Sequence, residues 1–181
     1  MLFRSSDPRV RAVRPYLDHA CETLGETIHL GRLDGTDVAY LDTRESHEYV
    51  RTLSRIGRRL PAHVGALGKA LLAERPDDDL PPGPYTPATP RTHTDRDALA
   101  ADLAAVRARG YSVDREEGVT GIVGYGFALR YDVPAQDAIS CSVPAERVTQ
   151  EHEEHIVRVM AAVRAEIESA VPRATGGPEW R

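Results

Sequence analysis

Lysine is nearly missing from this 181-residue chain: Lys69 is the only one among 23 basic residues, and the rest are arginine. With abundant alanine, aspartate and proline, that bias points to a GC-rich coding genome and says nothing of function. Cysteine is scarce as well. Cys21 and Cys141 stand alone, which excludes a disulfide framework and any spaced set of metal ligands. No apolar run approaches the ~20 residues that span a bilayer, and the opening MLFRSSDPRV lacks the apolar centre of a signal peptide. The net charge of −5 and pI of 5.8 provide no overall basic field to draw nucleic acid or an anionic membrane. These absences predict a cytoplasmic, soluble protein, and the length suits one domain with a sizeable core.

What is present alternates between helix and strand signals. Asp7 with Pro8 reads as a helix start, and Val10, Val13, Leu17, Cys21 and Leu24 recur at helical spacing until Gly25. GETIHLGRL and TDVAYLDT flank Asp34-Gly35, the two-residue signature of a hairpin. Tyr49–Arg55 is a candidate third strand. Six prolines between Pro76 and Pro90 predict an irregular surface loop. Thr94 or Asp95 caps a helix with Leu99, Leu103 and Val106 inward, closed by Gly110. Strands are expected at Tyr111–Arg115, Gly121–Tyr131 and Gln136–Val143. A long helix then opens at Thr149 with Ile156, Val159, Met160, Val163 and Ile167 on one face and acidic residues in its first turn. This order gives an α+β class with helices covering an antiparallel sheet. Residues 1–25 read as a linker helix, 26–171 as the domain proper, and 172–181 as a disordered tail.

Residues 57–72, GRRLPAHVGALGKALL, combine an extended segment ending at Pro61 with a glycine-containing turn over His63–Gly68 and a helix from Lys69. A turn feeding a helix exposes unpaired N–H groups, which suit a carboxylate or allow tight packing. The segment is not a nucleotide-phosphate loop. Only Ala66 and Leu67 separate Gly65 from Gly68, and Ala70 stands where a magnesium-binding hydroxyl is needed.

Strand parity isolates a second feature. Val123, Tyr125, Phe127 and Leu129 fall on one face, and Gly124, Gly126 and Ala128 on the other. Ser140 and Ser142 lie opposite Ile139, Cys141 and Val143, while Ser112 and Asp114 lie opposite Tyr111 and Val113. Three strands thus share a bulky face and a small, polar one. A half-solvated sheet has that pattern, and so does the floor of a ligand cavity.

Catalytic signatures are weak. No Gly-x-Ser-x-Gly elbow surrounds Ser140 or Ser142. His152 and His155 are three apart, not the four of a zinc helix. Asp114, Glu116 and Glu117 read as a charged turn, and His63 as a residue bonded at the helix entry. No metal, cofactor or enzymatic activity is expected; a hydrolase using Ser142 or His63 is the competing reading.

GETIHLGRLDG, GRRLPAHVGALGKALLA, RARGYSVDREEGVTGIVGYGFALR and AISCSVPAER, in this order, resemble the C-terminal effector-binding domain of the IclR family of bacterial transcription regulators. The resemblance runs from Asp7 to Val171. It implies a GAF-like or profilin-like antiparallel sheet flanked by helices, self-association as a homodimer or homotetramer, and sensing of a small-molecule effector, often an organic acid. It also implies a ligand held by the amides of Ala66 and Leu67, by the Asp114 side chain and by the hydroxyls of Ser140 and Ser142. Gly124 falls on a further pocket position, where the lack of a side chain suits an effector larger than a two- or three-carbon acid. Val143 stands where relatives often carry glycine. The family places a winged helix-turn-helix domain ahead of this one, and this chain begins where that domain would end. DNA is therefore expected to be reached only through a domain absent from the chain, with Arg4, Arg9, Arg11 and Arg14 forming a linker helix or a weak basic arm and no DNA-reading module of their own.

Overall fold

The computed structural model describes residues 7–46 and 57–172. The strand expected at Tyr49–Arg55 and the tail from 173 onward lie outside the described residues. Helix α1 (Pro8–Leu24) starts as the sequence requires: the Asp7 carboxylate accepts from the Arg9 N–H, and Gly25 closes the helix in the left-handed region at φ 68°. Strands β1 (Thr27–Asp34) and β2 (Asp37–Arg44) form a hairpin. Its register pairs Asp34 with Asp37, so the two-residue loop is Gly35-Thr36, one position later than expected, with the positive φ of 64° on glycine. A short β3 (Arg59–Pro61) and helix α2 (Ala66–Leu72) follow. The helix begins three residues earlier than expected because Gly65, at φ 108°, turns the chain sharply enough to start it there. Then come α3 (Arg96–Arg109), capped by the Asp95 carboxylate, β4 (Ser112–Arg115), β5 (Ile122–Leu129), β6 (Asp137–Pro144) and α4 (Gln150–Ala170).

The six strands form one antiparallel sheet in the order β3-β2-β1-β6-β5-β4. Parity sorts its faces as predicted. Val123, Tyr125, Phe127, Leu129, Ile139, Cys141 and Val143 join a core with Val10, Val13 and Leu17 of α1 and Ile156, Met160, Val163 and Ile167 of α4. Val143 is fully buried and pairs regularly with Val123, so valine there disturbs nothing in the strand. The opposite face packs Ala128, Ala138 and Val38 against Leu67 and Leu71 of α2 and Leu99, Leu103 and Val106 of α3.

Helix α1 is built into this core. The sequence set residues 1–25 apart as a linker, yet Val10, Val13, Leu17 and Ala20 are buried with the strands. Its start is tied to the sheet: Arg32 of β1 bonds both oxygens of buried Asp137 at 2.5 and 2.8 Å and reaches Asp7 at 2.9 Å. Arg9 pairs with Asp132 at 2.5 Å and Arg14 with Asp42 at 3.0 Å. Two members of the supposed basic arm are thus committed to intramolecular ion pairs.

Helix α2 touches the sheet with its backbone. A Cβ on Gly126 would overlap the Ala66 carbonyl and sit 2.5 Å from Ser112 Oγ, which donates to that same carbonyl at 2.6 Å. A Cβ on Gly68 would overlap the Ala62 carbonyl. The glycine at 126 thus serves a close helix–sheet approach. Gly126→Ala should lower stability by about 1–3 kcal/mol through overpacking, seen as a Tm fall of roughly 3–10 °C in thermal unfolding. An unchanged Tm would show that α2 can lift off the sheet at no cost.

Candidate functional site

The small face is not half-solvated. Ser112, Ser140 and Asp114 are only 0%, 3% and 7% exposed. Register carries residues from successive strands across the sheet in two rows. One runs Asp114, Gly124, Ser142 and Thr27; the other runs Ser112, Gly126, Ser140, His29 and Thr43. Helix α2 covers Ser112 and Gly126. Beside its first turn Asp114, Gly124, Ser142, Ser140 and His29 line a cavity of about 480 Å³.

All six positions singled out from the sequence, Ala66, Leu67, Asp114, Gly124, Ser140 and Ser142, line this one cavity. Ala66 and Leu67 stand at the start of α2, where no side chain caps the helix and the first i→i−4 bond comes only from the Lys69 N–H to Gly65. Gly124 is tighter than an open vacancy: a Cβ there would lie 3.1 Å from the Ala66 Cβ and 3.5 Å from the Asp114 Cβ. A larger residue at 124 would therefore fill the gap between those two.

Asp114 owes its orientation to the β4–β5 turn. Its Oδ1 accepts the N–H groups of Glu117 at 2.6 Å and Gly118 at 3.3 Å. Its Oδ2 is turned toward Gly65, Gly118 and Gly124, whose missing side chains leave it room. Burial pushes this carboxyl up to about 6. The nearby Glu117 charge adds to the rise, while the two N–H bonds and Lys69 oppose it. The turn itself is anchored by Thr89 Oγ1, which donates to the Glu116 carbonyl at 2.7 Å, and Thr92 Oγ1, which donates to the Glu117 carbonyl at 2.7 Å. Glu116 adopts φ 63°, a left-handed conformation that a non-glycine residue takes only when its surroundings impose it.

Most of the lining escaped the sequence reading. His29 of β1 and Tyr40 of β2 meet edge to face at 5.4 Å and form one wall. Burial lowers His29 to about 4, so its imidazole is neutral, with Nδ1 3.0 Å from Thr43 Oγ1. Burial and the Asp114 charge push the Tyr40 hydroxyl up to about 12, keeping it protonated. Arg58, Leu60 and Pro61 come from the β3 edge, and Thr86–Thr89 from the proline-rich loop. Parity applied to the first hairpin would have found His29; Arg58 and the Thr86–Thr89 segment have no local signal.

Other candidates fall elsewhere. His63 stacks on Tyr85 at 4.8 Å and lies 3.0 Å from the Thr86 carbonyl, so it fastens the proline-rich loop rather than its own helix entry. Ser142 sits mid-strand between Thr27 and Gly124, without a nucleophile's elbow. His152 Nδ1 lies 3.1 Å from the Arg147 carbonyl, while His155 Nδ1 lies 3.0 Å from Arg158, so the two serve separate contacts. One cluster has metal-like geometry: donor atoms of His93, Asp102 and Glu117 lie within 4.8 Å of one another. Its centre is taken by the Lys69 ammonium, 2.6 Å from Asp102 Oδ2 and 2.7 Å from Glu117 Oε2. No helix among the described residues is long and apolar enough to cross a membrane.

Comparison with known proteins agrees with this architecture. A family model described as bacterial transcriptional regulator IclR C-terminal matches residues 6–169. The transcriptional regulator BhcR of Paracoccus denitrificans is 36% identical over 167 residues, 89% of this chain and 57% of that protein. KdgR of Escherichia coli is 34% identical over 170 residues, 90% of this chain and 62% of that protein. The chain thus spans roughly three-fifths of these curated relatives. Among solved structures, the C-terminal domain of E. coli KdgR superposes with a TM-score of 0.79 at 30% identity, covering 90% of this chain and 97% of that one. Thermotoga maritima IclR gives 0.84 at 28% identity, with 91% and 68% covered. An IclR homolog from Microbacterium hydrocarbonoxydans complexed with 4-hydroxybenzoate shares the fold, with a TM-score of 0.80 at 24% identity and 91% and 69% covered. The relatives are named as transcription regulators, which points away from an enzyme. The chain belongs to the IclR family of bacterial transcriptional regulators, as a C-terminal, effector-binding domain.

Proposed function

We propose that the cavity beside α2 binds a small organic-acid effector and that this domain reports its occupancy through self-association, as a homodimer or homotetramer, in a cytoplasmic regulator. The observation that carries this reading is the convergence of the α2 start, Asp114 and two strand serines on one cavity. The ligand carboxylate rests on the N–H groups of Ala66 and Leu67, where the helix start favours negative charge. Ser140 and Ser142 donate hydrogen bonds. Asp114 Oδ2 accepts one from a ligand hydroxyl or amine. A volume of about 480 Å³ with Gly124 at its floor suits a ligand larger than a three-carbon acid. DNA contact belongs to a helix-turn-helix segment outside the residues described here. Occupancy signals only in proportion to the difference in ligand affinity between two subunit arrangements.

Calorimetry against 2-oxo acids, sugar acids and aromatic hydroxy acids, guided by mass spectrometry of co-purifying small molecules, identifies the effector. Asp114→Ala combined with Ser142→Ala should then weaken binding by more than about 100-fold, since each hydrogen bond to a charged group contributes roughly 1.5–3 kcal/mol. Undiminished binding in that double variant refutes the site.

The sign of the pH dependence tests the role of Asp114 separately. The ionised carboxylate is the stronger acceptor, so with a carboxyl titrating at about 6 the affinity should be full above that pH and decline below it. For a ligand whose own charge is constant, lowering the pH from 7.5 to 5 should cost about tenfold in Kd. A Kd that improves on acidification would mean that the ligand carboxylate faces Asp114 directly and shares its proton.

A further inference from the structure

The only lysine of the chain is fully buried. Its ammonium has three close oxygen partners from three elements: the Val113 carbonyl of β4 at 2.6 Å, Asp102 Oδ2 of α3 at 2.6 Å, and Glu117 Oε2 of the β4–β5 turn at 2.7 Å. The contacts to Asp102 and the Val113 carbonyl are hydrogen bonds and the one to Glu117 is an ion pair; a compact ammonium suits oxygens arranged around one point, and a planar guanidinium fork does not. Two of the three bracket Asp114 in the chain. The Val113 carbonyl immediately precedes it, and Glu117 is the residue whose N–H holds Asp114 Oδ1 at 2.6 Å. Lys69 therefore grips the polypeptide on both sides of the one acidic group that lines the cavity.

We infer that Lys69 is a positioning residue for Asp114: it fixes the direction of that carboxylate and neutralises the negative charge that Glu117 would otherwise press on it. The functional consequence rests on the reading of Asp114 as the ligand's acceptor, but the device exists in the unliganded chain. The charged and titratable groups that share the surroundings of Asp114 are Glu117 from its own turn, Lys69 from α2, Tyr40 from β2, and across the cavity His29 of β1 and Arg58 beside β3. Behind Lys69 stand Asp102 with Arg109 at 3.8 Å, and His93 at 3.6 Å from Asp102 and 3.9 Å from Glu117. Lys69 and Glu117 alone among these act on Asp114 with opposite sign and from adjacent positions, one lowering its proton affinity and the other raising it.

The experiment is a carboxyl carbon-13 NMR titration of the whole chain with labelled aspartate and no ligand, the Asp114 signal being assigned by its loss in Asp114→Asn. Lys69→Met should raise the Asp114 midpoint by about one pH unit or more, because the Glu117 carboxylate is left uncompensated. Glu117→Gln should lower it, and the double variant should return toward the Glu117→Gln value. Opposite shifts from two residues in direct contact are a result that a merely structural role does not produce. Midpoints that stay put, or move together, overturn the inference. If Lys69→Met does not fold, Glu117→Gln decides alone, and a midpoint at or above the wild-type value overturns it. Failure of the ligand site leaves this titration unchanged, so the two readings fall separately.

Discussion

Helix α2 lies against the sheet backbone to backbone, and most of the site follows from that contact. Gly126 has no side chain to hold the helix away, and Ser112 Oγ bonds the Ala66 carbonyl from below. The first turn of α2 is thereby brought down to the strand level, where its uncapped N–H groups belong to a cavity rather than to solvent. Leu67 and Leu71 then pack on Ala128, Ala138 and α3, so the same descent that forms the cavity also forms the second core. Were α2 raised by the thickness of ordinary side chains, Ala66 and Leu67 would no longer share a wall with Asp114 and the serines.

Such an approach carries an electrostatic cost that the structure meets locally. Asp114 and Glu117 are both buried, and the Glu117 charge raises the proton affinity of Asp114. Asp114 takes two backbone N–H groups; Glu117 takes an ammonium that also ties down α3. Buried ion pairs seldom add much net stability, but removing one partner strands the other charge. The value of this group lies in geometry: it gives the β4–β5 turn a single arrangement, which the threonines at 89 and 92 reinforce through backbone carbonyls.

How much of this could be read from the residues depends on the range over which each signal acts. Parity is local, so the bulky and bare faces of β4, β5 and β6 were legible, as were the caps at Asp7, Asp95 and Thr149. The glycines carried a mixed message that sequence cannot separate. Gly126 answers to the α2 backbone and Gly124 to the cavity, and only the position of Ala66 tells them apart. The hairpin turn slipped by one residue because Asp34 joins the ladder opposite Asp37 instead of entering the loop. Parity would have put His29 on one face of the first hairpin, but that this face continues the floor of β4, β5 and β6 follows from the pairing of β6 with β1, strands more than a hundred residues apart. The Thr86–Thr89 segment reaches the cavity only through the path of an irregular loop, and Arg58 only because β3 pairs with β2.

The ionisation of the lining argues for recognition over chemistry. His29, held at about 4, is too weak a base to take a proton from a hydroxyl at neutral pH, and Tyr40, at about 12, stays a donor. Serines in the middle of a regular strand have no turn to present them for attack. What remains is a set of donors and acceptors around one carboxylate pushed up to about 6. That carboxylate is also the group most closely coupled to the rest of the fold. A force on Asp114 acts on the Glu117 turn, from there on Lys69, and through Lys69 on Asp102 of α3. A ligand bonded at Asp114 is therefore in mechanical contact with both helices that cover this face, so it can bias their placement if two placements are close in energy.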